Sequence, residues 1–322
     1  MKKQQTVLIL GATGGIGGEV ARQLRDADWT VRAMKRNAST DVEQKDGITW
    51  LKGDALRQAD VEKAVEKCSV IVHAVNPPGY KNWPGLVLPM LENTLAAAKK
   101  SGATIVLPGT VYNYGPDAFP VLYEDSPQQP QTQKGAIRVK MEQRLLNYSK
   151  KEGRVIIVRA GDFFGPRAGN NWFSQGLIKP GRPVTSISNP GSRGVGHQWS
   201  YLPDVARAMV QLLKNRHKLE SFATFHLGSH WDADGTQMIE AIRSVVTRHS
   251  GKAPKTVSFP WWLLRLLAPF KETLRELMEM RYLWKVPVRM DNSRIIAVLG
   301  KEPVTPLIKA VEETLKGLKC LP

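Results

Sequence analysis

Thr6-Val7-Leu8-Ile9-Leu10-Gly11-Ala12-Thr13-Gly14-Gly15-Ile16-Gly17 decides the fold. A short, mostly apolar strand ends on a glycine turn. The turn opens a helix whose apolar positions Ile16, Val20 and Leu24 stand four apart. Glycine permits a tight turn and a close approach of backbone to a pyrophosphate, and the helix N-terminus offers unpaired N–H groups to its charge. The stretch therefore predicts a dinucleotide bound at Gly11, Thr13, Gly14, Gly15, Ile16 and Gly17.

The alternation continues outward. Segments 30–34, 48–51, 69–75, 103–107 and 154–159 read as further strands, with helices between them, for instance over 86–100 and 137–148. Strands joined by helical crossovers predict an α/β Rossmann-type, doubly wound parallel sheet. Residues 161–196 are rich in Gly, Pro, Asn and Ser and read as loops. A helix returns at 203–213 and a strand at 224–227. The last seventy or so residues read as mainly helical, over 237–248, 261–268, 271–283 and 306–318. The expected organisation is a dinucleotide-binding domain over 1–160, completed by about 197–230, and a smaller, mainly helical substrate-binding cap over 161–196 and 231–322. The cap is expected over the carboxyl edge of the sheet, where open α/β sheets bind ligands.

Composition narrows the partners. The chain has 322 residues, 42% hydrophobic and 23% charged, as an ordinary globular protein does. Its 46 Lys and Arg against 29 Asp and Glu leave +17, which suits a phosphorylated cofactor or a nucleotide-linked substrate. The basic residues are dispersed, with no arginine-rich run interleaved with aromatics, so nucleic acid is not the expected partner. Two cysteines, Cys68 and Cys320, exclude a disulfide framework and suggest a reducing cytoplasm. His226 and His230 share no helix face, so no metal is expected. No membrane span is expected. The stretch Trp261 to Ala268 either packs against the protein or lies on a membrane surface. The helices around 91–98 and 141–146 leave monomer and homodimer open.

The residues after the second strand bear on the cofactor. NAD wants a carboxylate about 20 residues past the glycine turn, for the ribose 2′-hydroxyl. Lys35 and Arg36 stand there instead, with no carboxylate before Asp41. Cations suit the 2′-phosphate of NADP, so NADP is expected over NAD.

Several motifs, taken together, resemble the short-chain dehydrogenase/reductase superfamily, in its extended and atypical branch of NAD-dependent epimerase/dehydratase-like proteins. They are the glycine spacing, Gly53-Asp54-Ala55, His73-Ala74-Val75, the segment from Pro108 to Gly115 ending in Tyr114-Gly115, Arg159-Ala160-Gly161-Asp162-Phe163-Phe164-Gly165-Pro166, and Tyr201-Leu202-Pro203-Asp204-Val205-Ala206. The resemblance runs to about residue 230. It implies that Asp54 and Ala55 meet the adenine and that His73, Ala74 and Val75 line the cofactor. It also implies a catalytic Tyr-x-x-x-Lys pair with a Ser or Thr, in which lysine lowers the tyrosine's pKa and holds the ribose.

By the same resemblance the hydroxyl position falls on Thr110 and the lysine on Lys140. Four residues before Lys140 stands Ala136, so the catalytic tyrosine is missing. Tyr112 is a candidate for a relocated proton donor. Substrate contacts are expected from Asn76, Tyr114, Asp162, Arg193 and His197. Asn76-Pro77-Pro78-Gly79-Tyr80 reads either as a lid or as a proline turn, and Arg193 with His197 as an anion-binding stretch or a surface loop. The expected activity is NAD(P)-dependent hydride transfer on a carbonyl or secondary alcohol, as in an oxidoreductase or epimerase/dehydratase, with a nucleotide-linked sugar as one such substrate. The alternative is a non-catalytic NADP-binding sensor or regulator.

Overall fold

The computed structural model describes residues 4–77, 82–151, 153–167, 169 and 171–321. In chain order the first elements are β1 (Thr6–Leu10), α1 (Gly15–Asp26), β2 (Thr30–Lys35), β3 (Val42–Lys45), β4 (Ile48–Lys52) and α2 (Gln58–Val65). β5 (Val70–His73), α3 (Trp83–Ser101), β6 (Thr104–Gly109), β7 (Val121–Leu122), α4 (Gln133–Ser149) and β8 (Val155–Arg159) follow. Next come β9 (Asp162–Phe164), β10 (Ser186–Asn189), β11 (His197–Tyr201), α5 (Leu202–Lys214), β12 (Phe222–His226) and β13 (His230–Asp232). The chain closes with α6 (Gln237–Ser250), β14 (Lys255–Ser258), α7 (Trp261–Leu267), α8 (Glu272–Glu279), β15 (Arg289–Met290), α9 (Ser293–Leu299) and α10 (Leu307–Gly317).

Two compact units emerge. The first comprises Met1–Asn113, Gln128–Arg159 and Ala206–Phe225. Its eight-stranded sheet runs β12-β8-β6-β5-β1-β2-β4-β3. The pairs from β8 to β4 are parallel, and β3 adds an antiparallel edge on β4. Strands β1, β5, β6 and β8 are nearly continuous runs of buried Val, Ile and Leu, as a sheet covered on both faces demands. Ile71, Ile105 and Ile157 pack with Leu91 of α3 and with Met141 and Leu145 of α4 in one cluster. Strand order reverses between β1 and β5, which places the glycine turn beside the end of β5.

The second unit comprises Tyr114–Pro127, Ala160–Val205 and His226–Pro322. Its core gathers Phe164, Phe173, Trp199, Ile242, Trp284 and Val311. Here the expectation of loops over 161–196 is corrected. That stretch contains β9, a π-helical turn over Phe173–Leu177 and β10, with Phe164, Phe173 and Ile187 fully buried. Single apolar residues set among glycines and prolines have no period to read, yet tertiary packing buries them. Strand β3, mostly exposed, was likewise not expected.

No helix among the described residues is long and apolar enough to cross a membrane. Cys68 and Cys320 are both free and buried, and burial pushes the Cys68 thiol up to about 11.

Candidate functional site

The glycine turn is built for a ligand that approaches its backbone. Gly11 has φ +91°, and a methyl group on it would stand 2.4 Å from the Ala74 carbonyl oxygen at the end of β5. A methyl on Gly17 would stand 2.3 Å from the Gly11 oxygen. Neither position tolerates a side chain. The Gly14 amide closes the turn on Gly11 O at 3.0 Å, and Gly14, as N-cap of α1, brings no side chain to cover the helix end. Thr13 and Gly14 are exposed. An uncapped N-terminus over a side-chain-free cradle fits a pyrophosphate.

Asp54 accepts the Leu56 amide on Oδ1 at 3.0 Å, its own amide donates to Asp60 Oδ2 at 2.9 Å, and the Ala55 carbonyl is held by Asn93 Nδ2 at 2.8 Å. Lys35 is engaged: its Nζ lies 2.6 Å from Glu43 Oε2 on β3 and 5.1 Å from the Trp50 ring centre. Arg36 is exposed and, with Lys52, Asp54 and Arg57, lines a cavity of about 520 Å³. Of the two cations, Arg36 is therefore the one open to a phosphate.

At the end of β5 His73 is buried, its Nδ1 2.8 Å from Thr94 Oγ1 and its Nε2 without a hydrogen-bond partner among the described residues. Burial, with the Arg138 charge adding to it, pushes its pKa down to about 3. Ala74 and Val75 are partly exposed and Asn76 is exposed. Pro78, Gly79 and Tyr80 lie outside the described residues.

Thr110, just after β6, begins a polar chain. Its hydroxyl donates to Asn113 Oδ1 at 3.1 Å, Asn113 Nδ2 donates to Gln128 Oε1 at 3.1 Å, and Gln128 Nε2 donates to Glu142 Oε2 at 3.0 Å. The same carboxylate oxygen accepts Arg159 Nη2, with Glu142 and Arg159 both buried. A carboxylate can only accept, so it fixes the Gln128 amide, which fixes Asn113, which in turn draws the Thr110 proton inward. The Thr110 oxygen is left able to accept a hydrogen bond from outside. Motif reading alone did not single out Asn113, Gln128 and Glu142.

Helix α4 turns inward a different register from the one that motif spacing points to. Lys140 is exposed, whereas Lys134 is 1% exposed and Arg138 is partly buried, its guanidinium 5.2 Å from the Trp83 ring centre. The first turn of α4 lies against the turn over Val111–Asn113, for a methyl on Gly135 would stand 2.1 Å from the Tyr112 carbonyl oxygen. Lys134, Arg138 and Glu142, spaced by four, share a face. Lys140 sits about 200° around from Arg138 at ~100° per residue, toward solvent. The i, i+4 pair on the inner face is thus Lys134 and Arg138, not Ala136 and Lys140. Tyr112 is partly exposed.

The remaining candidates lie in the second unit. Tyr114 is fully buried, and its hydroxyl is 3.1 Å from His226 Nε2. His226 Nδ1 faces the Leu122 carbonyl at 3.2 Å, so the ring proton sits on Nδ1 and Nε2 accepts from the phenol. This places Tyr114 in the packing of its unit rather than at a surface open to substrate. Asp162 and His197 are brought together, with Oδ2 and Nε2 2.8 Å apart. The His197 ring stacks on Trp284 at 3.8 Å and 6°, with Nδ1 3.3 Å from the Leu283 carbonyl. Arg193 is exposed, whereas His197 is buried and turns to Asp162. Among the described residues no group of three or more His, Cys, Asp or Glu could hold a metal.

Sheet order, switch point and glycine cradle define a Rossmann-type dinucleotide-binding protein. Residues 7–228 match the NAD dependent epimerase/dehydratase family, and the chain belongs to it. Curated protein sequences give no match. Among solved structures, MoeE5 in complex with UDP-glucose and NAD aligns with a TM-score of 0.72 at 18% identity over 98% of each chain. UDP-glucuronic acid 4-epimerase from Bacillus cereus, in complex with UDP-glucuronic acid and NAD, aligns at 0.71 and 18%, covering 98% of this chain and 99% of that one. Thermus thermophilus UDP-glucose 4-epimerase in complex with NAD gives 0.69 and 18%, with the same coverage. At such identities the likeness is one of fold.

Proposed function

We propose that the chain is an NADP-binding oxidoreductase or epimerase-like enzyme that exchanges hydride with a carbonyl or secondary alcohol of a nucleotide-linked sugar. The observation that carries this reading is the cradle at Gly11 and Gly17, where side chains are excluded and the N-terminus of α1 stands uncapped. A nicotinamide bound there supplies a reversible hydride acceptor; the other roles fall to the chain. Arg36 binds the 2′-phosphate, Asp54 the adenine, and the segment from His73 to Val75 walls the cofactor.

Thr110 orients the reacting oxygen. Because its proton is drawn inward, its oxygen accepts from a substrate hydroxyl, which favours binding of the alcohol and thus the oxidising direction. In this reading Lys134 and Arg138, four apart on one side of α4, stand in for the Tyr-x-x-x-Lys pair that the resemblance implies. Arg138 holds the nicotinamide ribose as the lysine would, and Lys134 contributes positive charge that favours an alkoxide over the alcohol. The second unit binds the sugar nucleotide, with the Asp162–His197 pair offered as a polar contact to it.

A second reading has its own support: neither Ala136 nor Lys134 carries a phenol, which favours a cofactor-binding sensor. Titrating the purified chain with NADPH and NADH, then following nicotinamide absorbance with UDP-sugars and simple alcohols, separates the two. Tight NADPH binding with turnover supports the enzyme. Tight binding without turnover on any of them supports the sensor, and no dinucleotide binding overturns both.

A further inference from the structure

Not one residue from Trp261 to Glu279 is buried, in a stretch that carries six leucines, two tryptophans and a phenylalanine. Trp262 is 71% exposed, Leu266 63% and Phe270 82%, with Leu263 and Leu267 also exposed. These positions repeat at three and four residues, so on a helix they form one stripe. The opposite side of α7 is held to its unit by Trp261. Its Nε1 donates to the Pro190 carbonyl at 2.8 Å, and its ring packs against Phe259 at 4.8 Å and Trp172 at 5.7 Å. Adjacent tryptophans therefore have opposite fates: one anchors the helix and the other presents its ring outward.

A stripe of this size and character marks a surface that is covered by something else. Its surroundings say what. From Lys252 to Lys285 there are seven basic residues and three acidic ones, with Arg265 and Lys271 exposed within the stripe's own segment. The whole chain carries +17. Two copies of so positive a chain repel each other, whereas an anionic surface attracts it. Trp, Phe and Leu on one side with Lys and Arg beside them is the make-up of a helix that lies in a bilayer interface.

We propose that α7, the 3₁₀ turn Ala268–Phe270 and α8 form a peripheral docking surface for an anionic phospholipid bilayer. The apolar stripe enters the headgroup boundary and the flanking cations meet lipid phosphates. The inference rests on the second unit alone and stands whether or not the dinucleotide reading does.

The test is sedimentation of the full chain with vesicles of phosphatidylglycerol and phosphatidylcholine, against vesicles of phosphatidylcholine only. Binding is expected to the anionic vesicles, weakening as salt rises. The triple variant W262S/L266S/F270S is expected to lose about tenfold or more of that affinity, and R265E/K271E to lose it on anionic vesicles. Unchanged thermal midpoint and NADPH affinity in both variants exclude misfolding, since none of the five side chains is buried. Absence of binding by the parent chain, or equal binding by the triple variant, overturns the proposal. So does a dimer seen by sedimentation velocity that the triple variant disperses, which assigns the stripe to a second copy.

Discussion

Thr110 donates its hydroxyl proton to Asn113 across 3.1 Å, and that single bond ends a polar chain anchored in the interior by Glu142 and Arg159. The buried ion pair does not contribute much net stability, because desolvation opposes its Coulomb attraction. Its contribution is direction. Glu142→Gln removes the buried carboxylate charge that faces Arg159 and is expected to destabilise the protein by about 3–5 kcal/mol in urea unfolding. Asn113→Leu removes the acceptor of the Thr110 proton at nearly unchanged volume. It is expected to unfix the Thr110 proton and to lower turnover more than cofactor affinity, read as a drop in kcat with unchanged NADPH binding.

Gly17→Ala tests the cradle. The added methyl would meet the Gly11 oxygen at 2.3 Å, and the turn must open to relieve it. Dinucleotide affinity is expected to fall about a hundredfold or more, equivalent to roughly 3 kcal/mol, in a fluorescence titration. Gly102→Ala is the control. That glycine meets nothing within 4 Å, so its cost is confined to its left-handed backbone.

Cofactor choice is expected to respond to Arg36 and to be nearly blind to Lys35. Arg36→Ala should weaken NADPH about tenfold or more and leave NADH unchanged, as loss of a charge-assisted phosphate contact would. Lys35→Ala should change little, because Glu43 already holds that ammonium group. The ratio of NADPH to NADH dissociation constants is the readout.

Lys134→Met and Lys140→Met separate the two helix registers. The first is expected to abolish turnover while leaving NADPH bound. The second, on the exposed face, is expected to match the parent chain in both respects. The reverse pattern would restore the register read from the motif.

His73 makes stability sensitive to acid. Its folded pKa, near 3, lies below the ordinary histidine value, so below about pH 6.5 the unfolded chain takes up a proton that the folded chain refuses. The contribution is present above that pH and lost as pH falls toward 3, at up to about 1.4 kcal/mol per unit. His73→Asn is expected to flatten this slope, by roughly 2 kcal/mol between pH 6.5 and 5, in denaturant unfolding at matched ionic strength.

The first unit was legible because its physics is periodic. Buried parallel strands are runs of Val, Ile and Leu, their helices repeat at four, and glycine marks the one turn that must be free of side chains. β3 escaped because an exposed edge strand of four residues, Val42–Lys45, has no apolar face. Residues 161–196 escaped because Phe164, Phe173 and Ile187 earn their burial from partners far along the chain. In the site, motif spacing and burial point to different faces of α4, because a spacing counted from a lysine does not say which face turns inward. The signal was there: Lys134, Arg138 and Glu142 recur at four beside the apolar series Ile137, Met141 and Leu145. Polar residues riding next to a core stripe are the mark of a buried polar network. The amide chain through Asn113 and Gln128, in contrast, depends on a fold that brings positions 113, 128, 142 and 159 together, and no local pattern announces that.

Glu43 has a consequence for how such a protein changes over evolutionary time. It belongs to a short, exposed edge strand, a part of a sheet that accepts substitution freely, yet through Lys35 it decides how many cations stand near the proposed phosphate. Replacing Glu43 by a neutral residue releases Lys35 without disturbing the glycine cradle or the buried face of α4. Selectivity between the two nicotinamide cofactors can therefore drift by a single change at a residue that touches neither, which makes this edge the place to engineer it.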